Sequence, residues 1–265
     1  NGITLHVSAT VTAIESKQVK AVKDGKEFTV AADAVVMAVG ARPKTELAKD
    51  AGLEIGTTGG IWVDHNYRTS DADIYAVGDA IESYNMLAHA PGRIALAGPA
   101  QRQARAAADH ICGMYNTNKG YIGSSCIKVF GQNAACTGLN EREAKRLGYS
   151  YDSVMIFPMD RVGLMPGANY MVFKLVFEIP TGRILGAQAI GTGECDKRVD
   201  VIAAMITMGG RLEDLKELEL CYAPPFSTAK DVVNLAALVA LNVLNGRFKQ
   251  VHVDKVRELV EQGAY

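Results

Sequence analysis

The first part of the chain alternates between apolar and polar positions. Residues 3–14 alternate in this way, residues 18–22 continue the pattern, and Asp24 with Gly25 forms a turn signal before residues 27–31. A period of two residues is typical of a strand with one buried face, and an Asp-Gly pair favours a two-residue hairpin loop. The pattern therefore predicts an antiparallel meander at the start of the chain.

Two short apolar runs follow a different pattern. Residues 34–39 and 74–77 are continuously apolar, and they end at Gly40 and Gly78. Short runs bounded by turn residues are typical of strands that are buried on both faces of a parallel sheet. We predict that both runs are strands of such a sheet, an architecture that binds ligands at the carboxyl ends of its strands.

Asp79 is the first side chain after the second of these runs. A carboxylate at this place can accept hydrogen bonds from a polyol, and Gly78 lets a bulky ligand approach the backbone. An acidic residue after a strand is also common as the start of an Asx turn. The spacing by itself leaves both interpretations open.

An alanine-rich helix is predicted to begin at Gly98-Pro99-Ala100 and to end at Gly113. Proline suits the first turn of a helix, and glycine suits its end. The amino end of a helix carries N–H groups without intrahelical acceptors, and its partial positive charge stabilises an adjacent anion by about 0.3–1 kcal/mol. The alternative is an ordinary helix that packs on the sheet.

From Tyr121 onward the pattern changes to antiparallel hairpins with helices. Asn140 and Glu143 have the spacing of a capping box, and a helical apolar stripe is formed by Val199, Ile202, Ala203 and Ile206. The predicted strands are residues 126–130, 134–137, 154–157, 170–178 and 184–190. The fold class is therefore α/β and α+β, with an incomplete Rossmann-like portion followed by an antiparallel sheet with helices.

Val232 to Leu244 is apolar on nearly every side. A helix of this kind must be buried on more than one side, and we predict that a subunit contact buries it in a homodimer. Burial within the chain itself is the alternative.

Composition and charge exclude several classes of function. The 265 residues are 48% apolar with a net charge of −1, and no basic run indicates a nucleic-acid partner. No uninterrupted apolar stretch reaches the ~20 residues that a membrane span needs. The five cysteines form no C-x-x-C pair, which argues against a disulfide framework and favours the cytoplasm, and the five scattered histidines give no support for a metal site. Because Asn1 is not an initiator methionine and no signal peptide is present, we expect a truncated chain.

Residues 59–64 and 68–80 resemble the second flavin-contacting motif of the FAD-dependent pyridine nucleotide-disulfide oxidoreductases. In that family the residue that matches Asp79 hydrogen-bonds the ribityl chain of FAD. Residues 32–43 resemble the return from the NAD domain into the FAD domain, with Gly40 close to the flavin. Residues 96–103 resemble the helix start that faces the flavin pyrimidine edge. The resemblance implies FAD and NAD(P)H as cofactors and these flavin-site residues: Gly40, Gly78, Asp79, Leu96, Ala97 and Gly98.

Residues 196–200 and 222–231 are similar to coenzyme A-disulfide reductases and to the related persulfide reductases and NADH oxidases. This resemblance implies a homodimer in which Tyr222 is an auxiliary catalytic residue that hydrogen-bonds a thiolate or sulfur leaving group, although packing at the interface is an alternative role. Coenzyme A-disulfide reductases carry a second tyrosine where this chain has Leu164 and Met165. The expected activity is reduction of a coenzyme A disulfide or persulfide, with NADH oxidase or peroxidase as the alternative.

The same resemblance suggests four parts: residues 1–40 as the tail of the NAD(P)-binding domain, 41–118 as part of the FAD domain, 119–246 as the interface domain, and 247–265 as a linker with the start of a rhodanese domain. The sequence contains neither a complete dinucleotide fingerprint nor a cysteine that matches the redox position of the family. We therefore expect that the chain by itself retains no cofactor and is a catalytically inactive dimerisation module.

Overall fold

The computed structural model describes residues 2–264, in two compact units that divide between Arg42 and Pro43. The first unit holds an antiparallel sheet of β1 (Ala9–Glu15), β2 (Gln18–Lys23) and β3 (Lys26–Ala31), in that order. Asp24 and Gly25 have φ angles of 52° and 75°, as a type I′ hairpin turn requires. The predicted meander is confirmed.

The predicted parallel strands do not form among the described residues. Residues 34–39 make no strand, and Val36 is 87% exposed. Residues 74–77 are not a strand either: Tyr75 makes one isolated antiparallel bridge to Arg68, and Ile74 is 38% exposed. Both predictions are wrong here for one reason. An apolar run favours burial, but a strand also needs a neighbouring backbone to pair with.

The second unit begins with α1 (Glu46–Asp50), the hairpin of β4 (Ser83–Asn85) and β5 (Ala90–Gly92), and α2 (Ala97–Ile111). Tyr67, Ile81 and Ala107 form a small buried cluster that joins α2 to the segment before it. The cluster packs the second half of α2 against that segment.

The larger part of this unit is a five-stranded antiparallel sheet with strand order β6-β7-β10-β9-β8. The predicted capping box is confirmed, because the Glu143 N–H donates to Asn140 Oδ1 over 2.9 Å at the start of α3. The elements are β6 (Ser125–Val129), β7 (Gln132–Gly138), α3 (Glu141–Arg146), β8 (Tyr151–Ile156), β9 (Met171–Glu178) and β10 (Ile184–Gly191).

Three further helices pack with this sheet in one hydrophobic core: α4 (Cys195–Thr207), α5 (Leu212–Glu217) and α6 (Val232–Leu244). The apolar character of α6 is explained inside the chain. Val233, Ala236, Ala237 and Ala240 are fully buried, and α6 packs against α5, β8 and β9. The prediction that a subunit contact buries this helix is corrected, because its own chain already supplies the buried surroundings.

The last element is α7 (Val253–Glu261). Residues 250–252, directly before this helix, form no strand. Instead, Gln250 and His252 place their side chains against edge strand β8, where Gln250 Nε2 lies 3.0 Å and His252 Nε2 lies 2.7 Å from Asp152 Oδ1. Between residues 2 and 264, no helix is both long enough and apolar enough to cross a membrane.

Candidate functional site

The candidate site is built around a 3₁₀ turn, Gly78–Ala80, which the extended Val77 enters. Gly78 has a φ of +83°, in the left-handed region that glycine adopts without strain. Of the atoms that the structure describes, a Cβ on Gly78 would have only Ala100 Cβ of α2 within 4 Å, at 4.0 Å. Backbone conformation therefore requires glycine here, and the turn lies directly against the first turns of α2.

Asp79 points from this turn toward solvent. Its side chain is exposed and has no hydrogen bond or ion pair to any residue that the structure describes. The turn is closed by the backbone, with the Ile81 N–H donating to the Gly78 carbonyl over 3.4 Å. The Asx-turn interpretation is therefore wrong, and the carboxylate is free to accept hydrogen bonds from a ligand.

The amino end of α2 provides the second part of the site. Leu96 is the extended N-cap residue, and no side chain caps the helix. Ala97 and Gly98 are exposed, and Gly98 with Pro99 borders a cavity of about 700 Å³ that Ala203 of α4 also lines. The uncapped end thus combines partial positive charge with open space.

Gln103 joins these two parts, and sequence reasoning missed it. This residue is 4% exposed, and its Oε1 accepts the Gly78 N–H over 2.7 Å while its Nε2 donates to Ser83 Oγ over 3.0 Å. One signal in the sequence could have indicated this role. Gln103 follows Ala100 by three residues, so both lie on the same face of the predicted helix.

Gly40 belongs to the first unit. Its φ is +82°, and an added Cβ would meet no atom within 4 Å. A glycine is therefore needed for the backbone conformation, whereas its predicted contact with flavin stays a prediction.

Tyr222 lies apart from these residues in the chain, between α5 and α6, and is 49% exposed. It lines a cavity of about 660 Å³ with Lys197 and Phe226, and none of the predicted flavin-site residues lines that cavity. The corner after Tyr222 is closed by backbone hydrogen bonds from Phe226 and Ser227 to the carbonyl of Ala223, 2.9 and 3.2 Å long. The loop that carries the phenol is therefore constrained.

A buried arginine anchors this loop. Arg198 is 1% exposed, and its Nη2 donates to the Asp160 carbonyl over 2.8 Å and lies 3.3 Å from Asp231 Oδ2 and 3.4 Å from the Phe226 carbonyl. Asp231 in turn caps α6 through the Val233 N–H. In the sequence, Arg198 is one residue of the motif at 196–200, and no separate role was predicted for it. Its position next to Val199, in the apolar stripe of α4, was a signal of a buried polar network.

Cys195, the first residue of α4, is fully buried. Burial raises the pKa of the Cys195 thiol, which keeps it in the unreactive protonated form. Across residues 2–264, no group of three or more His, Cys, Asp or Glu side chains is arranged to hold a metal ion. Asp79, the start of α2 and the Tyr222 loop remain the candidate functional residues.

Two family models match the chain. Residues 1–104 match the model described as pyridine nucleotide-disulphide oxidoreductase, and residues 124–232 match the dimerisation domain of the same family. Together they cover both the Asp79 site and most of the five-stranded sheet with its helices.

Individual relatives give the same picture. The chain is 32% identical over 204 residues to the coenzyme A disulfide reductase of Staphylococcus epidermidis, which is 77% of this chain and 46% of that protein. It is 35% identical over 220 residues to the CoA-dependent NAD(P)H sulfur oxidoreductase of Pyrococcus furiosus, covering 83% of this chain and 49% of that one. The reduced CoADR-RHD structure from Bacillus anthracis has a TM-score of 0.91 and 40% identity, covering 96% of this chain and 46% of that chain. The chain thus spans about half the length of the curated relatives that it matches.

Proposed function

Because this chain belongs to the pyridine nucleotide-disulphide oxidoreductase family, we propose that it serves an enzyme that passes electrons from NAD(P)H through FAD to a thiol-linked substrate. The substrate class is a coenzyme A disulfide or persulfide. The observation that carries the proposal is the exposed Asp79 carboxylate, without a partner among the described residues, beside the uncapped start of α2.

The residues at this place fit a flavin. The Asp79 carboxylate can accept hydrogen bonds from the ribityl hydroxyl groups, and Gly78 adds no side chain that would keep a bulky ligand away. The N–H groups at Ala97 and Gly98 carry partial positive charge, which suits the negative pyrimidine edge of a reduced flavin. When bound, FAD would accept a hydride and pass electrons on to sulfur.

Tyr222 has a different role in this proposal. A phenol can donate a hydrogen bond to a thiolate or to a sulfur leaving group without reacting itself. The constrained Ala-Pro-Pro corner and the Arg198 network limit the positions that the Tyr222 loop can take. We place this phenol in the active site of the other subunit of a homodimer, and the dimerisation-domain match over residues 124–232 supports that assembly.

The relatives support the proposed substrate, and one departure from their sequences favours an alternative. Two relatives carry coenzyme A in their names, which supports a substrate of that type. Leu164 and Met165 occupy the place where coenzyme A-disulfide reductases have a second tyrosine, so delivery of electrons to oxygen or peroxide is the second candidate.

The test is NADH consumption by the complete protein with three acceptors in turn: coenzyme A disulfide, coenzyme A persulfide and oxygen. Faster turnover with either sulfur acceptor than with oxygen is the expected result. Turnover with oxygen alone would contradict the first function and favour an NADH oxidase.

The 265-residue chain by itself has a separate expected behaviour. Its sequence contains no complete glycine fingerprint for the FAD pyrophosphate, which supplies much of the binding energy for the cofactor. We expect the purified chain to be a colourless dimer that does not oxidise NADH. Flavin absorbance at one equivalent per chain, or a monomer in sedimentation at micromolar concentration, would contradict this expectation.

A further inference from the structure

We propose that Gln103 is a positioning residue that holds the two flavin-facing parts of the site, the turn with Asp79 and the start of α2, at a fixed separation. The inference rests on the proposed flavin site. It assigns a task to a residue that lies behind the site and is itself almost inaccessible to ligand.

The contacts of Gln103 define this task. Its side chain starts from the second turn of α2, accepts the Gly78 N–H over 2.7 Å, and donates to Ser83 Oγ over 3.0 Å. Gly78 and Ser83 lie on either side of the turn that presents Asp79. One amide group thus ties both ends of this segment to α2, the helix that begins with Ala97 and Gly98 after the N-cap residue Leu96.

An amide suits this place better than other side chains of similar size. The Gly78 N–H is partly buried and loses stability when it has no acceptor, and a lysine or arginine side chain offers none. An apolar side chain such as methionine would fill the same volume but leave the N–H unpaired. A glutamine supplies an acceptor and a donor together without adding a charge beneath the flavin.

The packing of α2 makes the position of this segment sensitive to Gln103. Among residues 2–264, Ala100 alone has a side-chain atom within 4 Å of a Cβ built on Gly78, and the distance to Ala100 Cβ is 4.0 Å. Small residues allow close approach but provide few contacts that resist sliding. We infer that the hydrogen bonds of Gln103, one helical turn after Ala100, fix the position of the turn along α2, which the Ala100 contact by itself does not fix.

The experiment compares the complete protein with the variants Gln103→Met, Ser83→Ala, their double variant, and Gln101→Met. Gln101 is exposed on the same helix, so its replacement controls for a changed helix propensity. Three quantities are measured: the FAD dissociation constant by flavin fluorescence, the midpoint potential of the bound flavin, and the melting temperature of the apoprotein.

Gln103→Met should raise the FAD dissociation constant about tenfold to a hundredfold, since it leaves the Gly78 donor unpaired and releases the turn. It should also make the flavin potential more negative, because the positive end of α2 no longer keeps its place at the pyrimidine edge. Ser83→Ala should weaken binding by about two- to fivefold, and it should add nothing to Gln103→Met, because the link from Ser83 runs through Gln103. Gln101→Met should leave all three quantities unchanged.

A Gln103→Met protein with a lower apoprotein melting temperature but unchanged FAD affinity and potential would show that Gln103 only stabilises packing, and it would overturn the inference. Where Gln103→Met folds, an additive effect of Ser83→Ala in the double variant would overturn the inference as well. Where Gln103→Met folds poorly, an unchanged FAD affinity of Ser83→Ala alone would overturn it. A complete unsubstituted protein that binds no FAD would instead overturn the proposed function and this inference with it.

Discussion

Replacement of Arg198 tests the buried network under the Tyr222 loop most directly. Arg198→Met keeps an unbranched side chain but removes the guanidinium and its charge from a position that is 1% exposed. The variant loses the hydrogen bond to the Asp160 carbonyl and leaves Asp231, 5% exposed, without its cationic partner. A buried carboxylate without a partner is strongly destabilising.

The expected loss of stability can be estimated from the surroundings of Asp231. Breaking a buried ion pair by removing one partner costs about 3–5 kcal/mol. Without Arg198, Asp231 still accepts hydrogen bonds from the Ser227 hydroxyl and the Val233 N–H, which reduces the cost. The intact network is itself incomplete, because Arg198 Nε has no hydrogen-bond partner among the described residues. We therefore expect the lower end, about 3 kcal/mol, which lowers Tm by about 6–12 °C for a unit of this size.

Calorimetric or urea unfolding of four proteins measures this effect: the unsubstituted protein, Arg198→Met, Asp231→Asn and the double variant. The double variant should recover about 1–2 kcal/mol relative to the sum of the single effects, because neither charge is then buried alone. Arg105→Met is the matched control, since it breaks an exposed ion pair with Asp109 and should change stability by no more than about 0.5 kcal/mol. A loss below about 1 kcal/mol for Arg198→Met, or strictly additive effects, would refute the reasoning.

Three further predictions concern the site and its surroundings. Asp79→Ala should weaken FAD binding by the complete protein about ten- to a hundredfold, which is the contribution of a hydrogen bond to a charged group, and it should not lower the apoprotein melting temperature. Unchanged affinity in a flavin titration would contradict the role of Asp79. Tyr222→Phe should lower turnover with the sulfur acceptor about tenfold or more, while the rate of flavin reduction by NADH, measured by stopped flow, stays the same. An equal loss in both steps would indicate that Tyr222 has a packing role instead. For Asp64, burial raises the pKa, but the N–H groups of Arg68 and Asn66 and the Arg68 guanidinium outweigh burial and hold the pKa below 3.8. Its ionised form therefore stabilises the fold above about pH 4, and the stability difference between the unsubstituted protein and Asp64→Asn should shrink as the pH falls through the folded pKa; a difference that is the same at pH 3 and pH 7 would contradict this.

Much of the local structure is determined by the sequence alone. The hairpin turn at Asp24-Gly25 and the capping box at Asn140 and Glu143 form as predicted. Each depends on a few neighbouring residues, whose backbone angles or side-chain reach settle the outcome without help from the rest of the chain. The flavin-site residues proposed near Asp79 are predicted from a contiguous motif in the same way, and their role stays a prediction.

Tertiary structure decided what depends on distant partners. The apolar runs at residues 34–39 and 74–77 favour burial, but strand formation needs a second backbone at hydrogen-bonding distance, which no residue pattern within the run can report. The surroundings of α6 are another case. Apolar residues on all sides of a helix indicate that it is buried, but they do not indicate whether its own chain or a second subunit buries it. Gln103 and Arg198 acquired their importance in the same way: each is an ordinary polar residue in sequence, and only folding brings it to the Gly78 N–H or the Asp231 carboxylate. Burial makes such contacts costly to lose, since water no longer competes for the donors and acceptors.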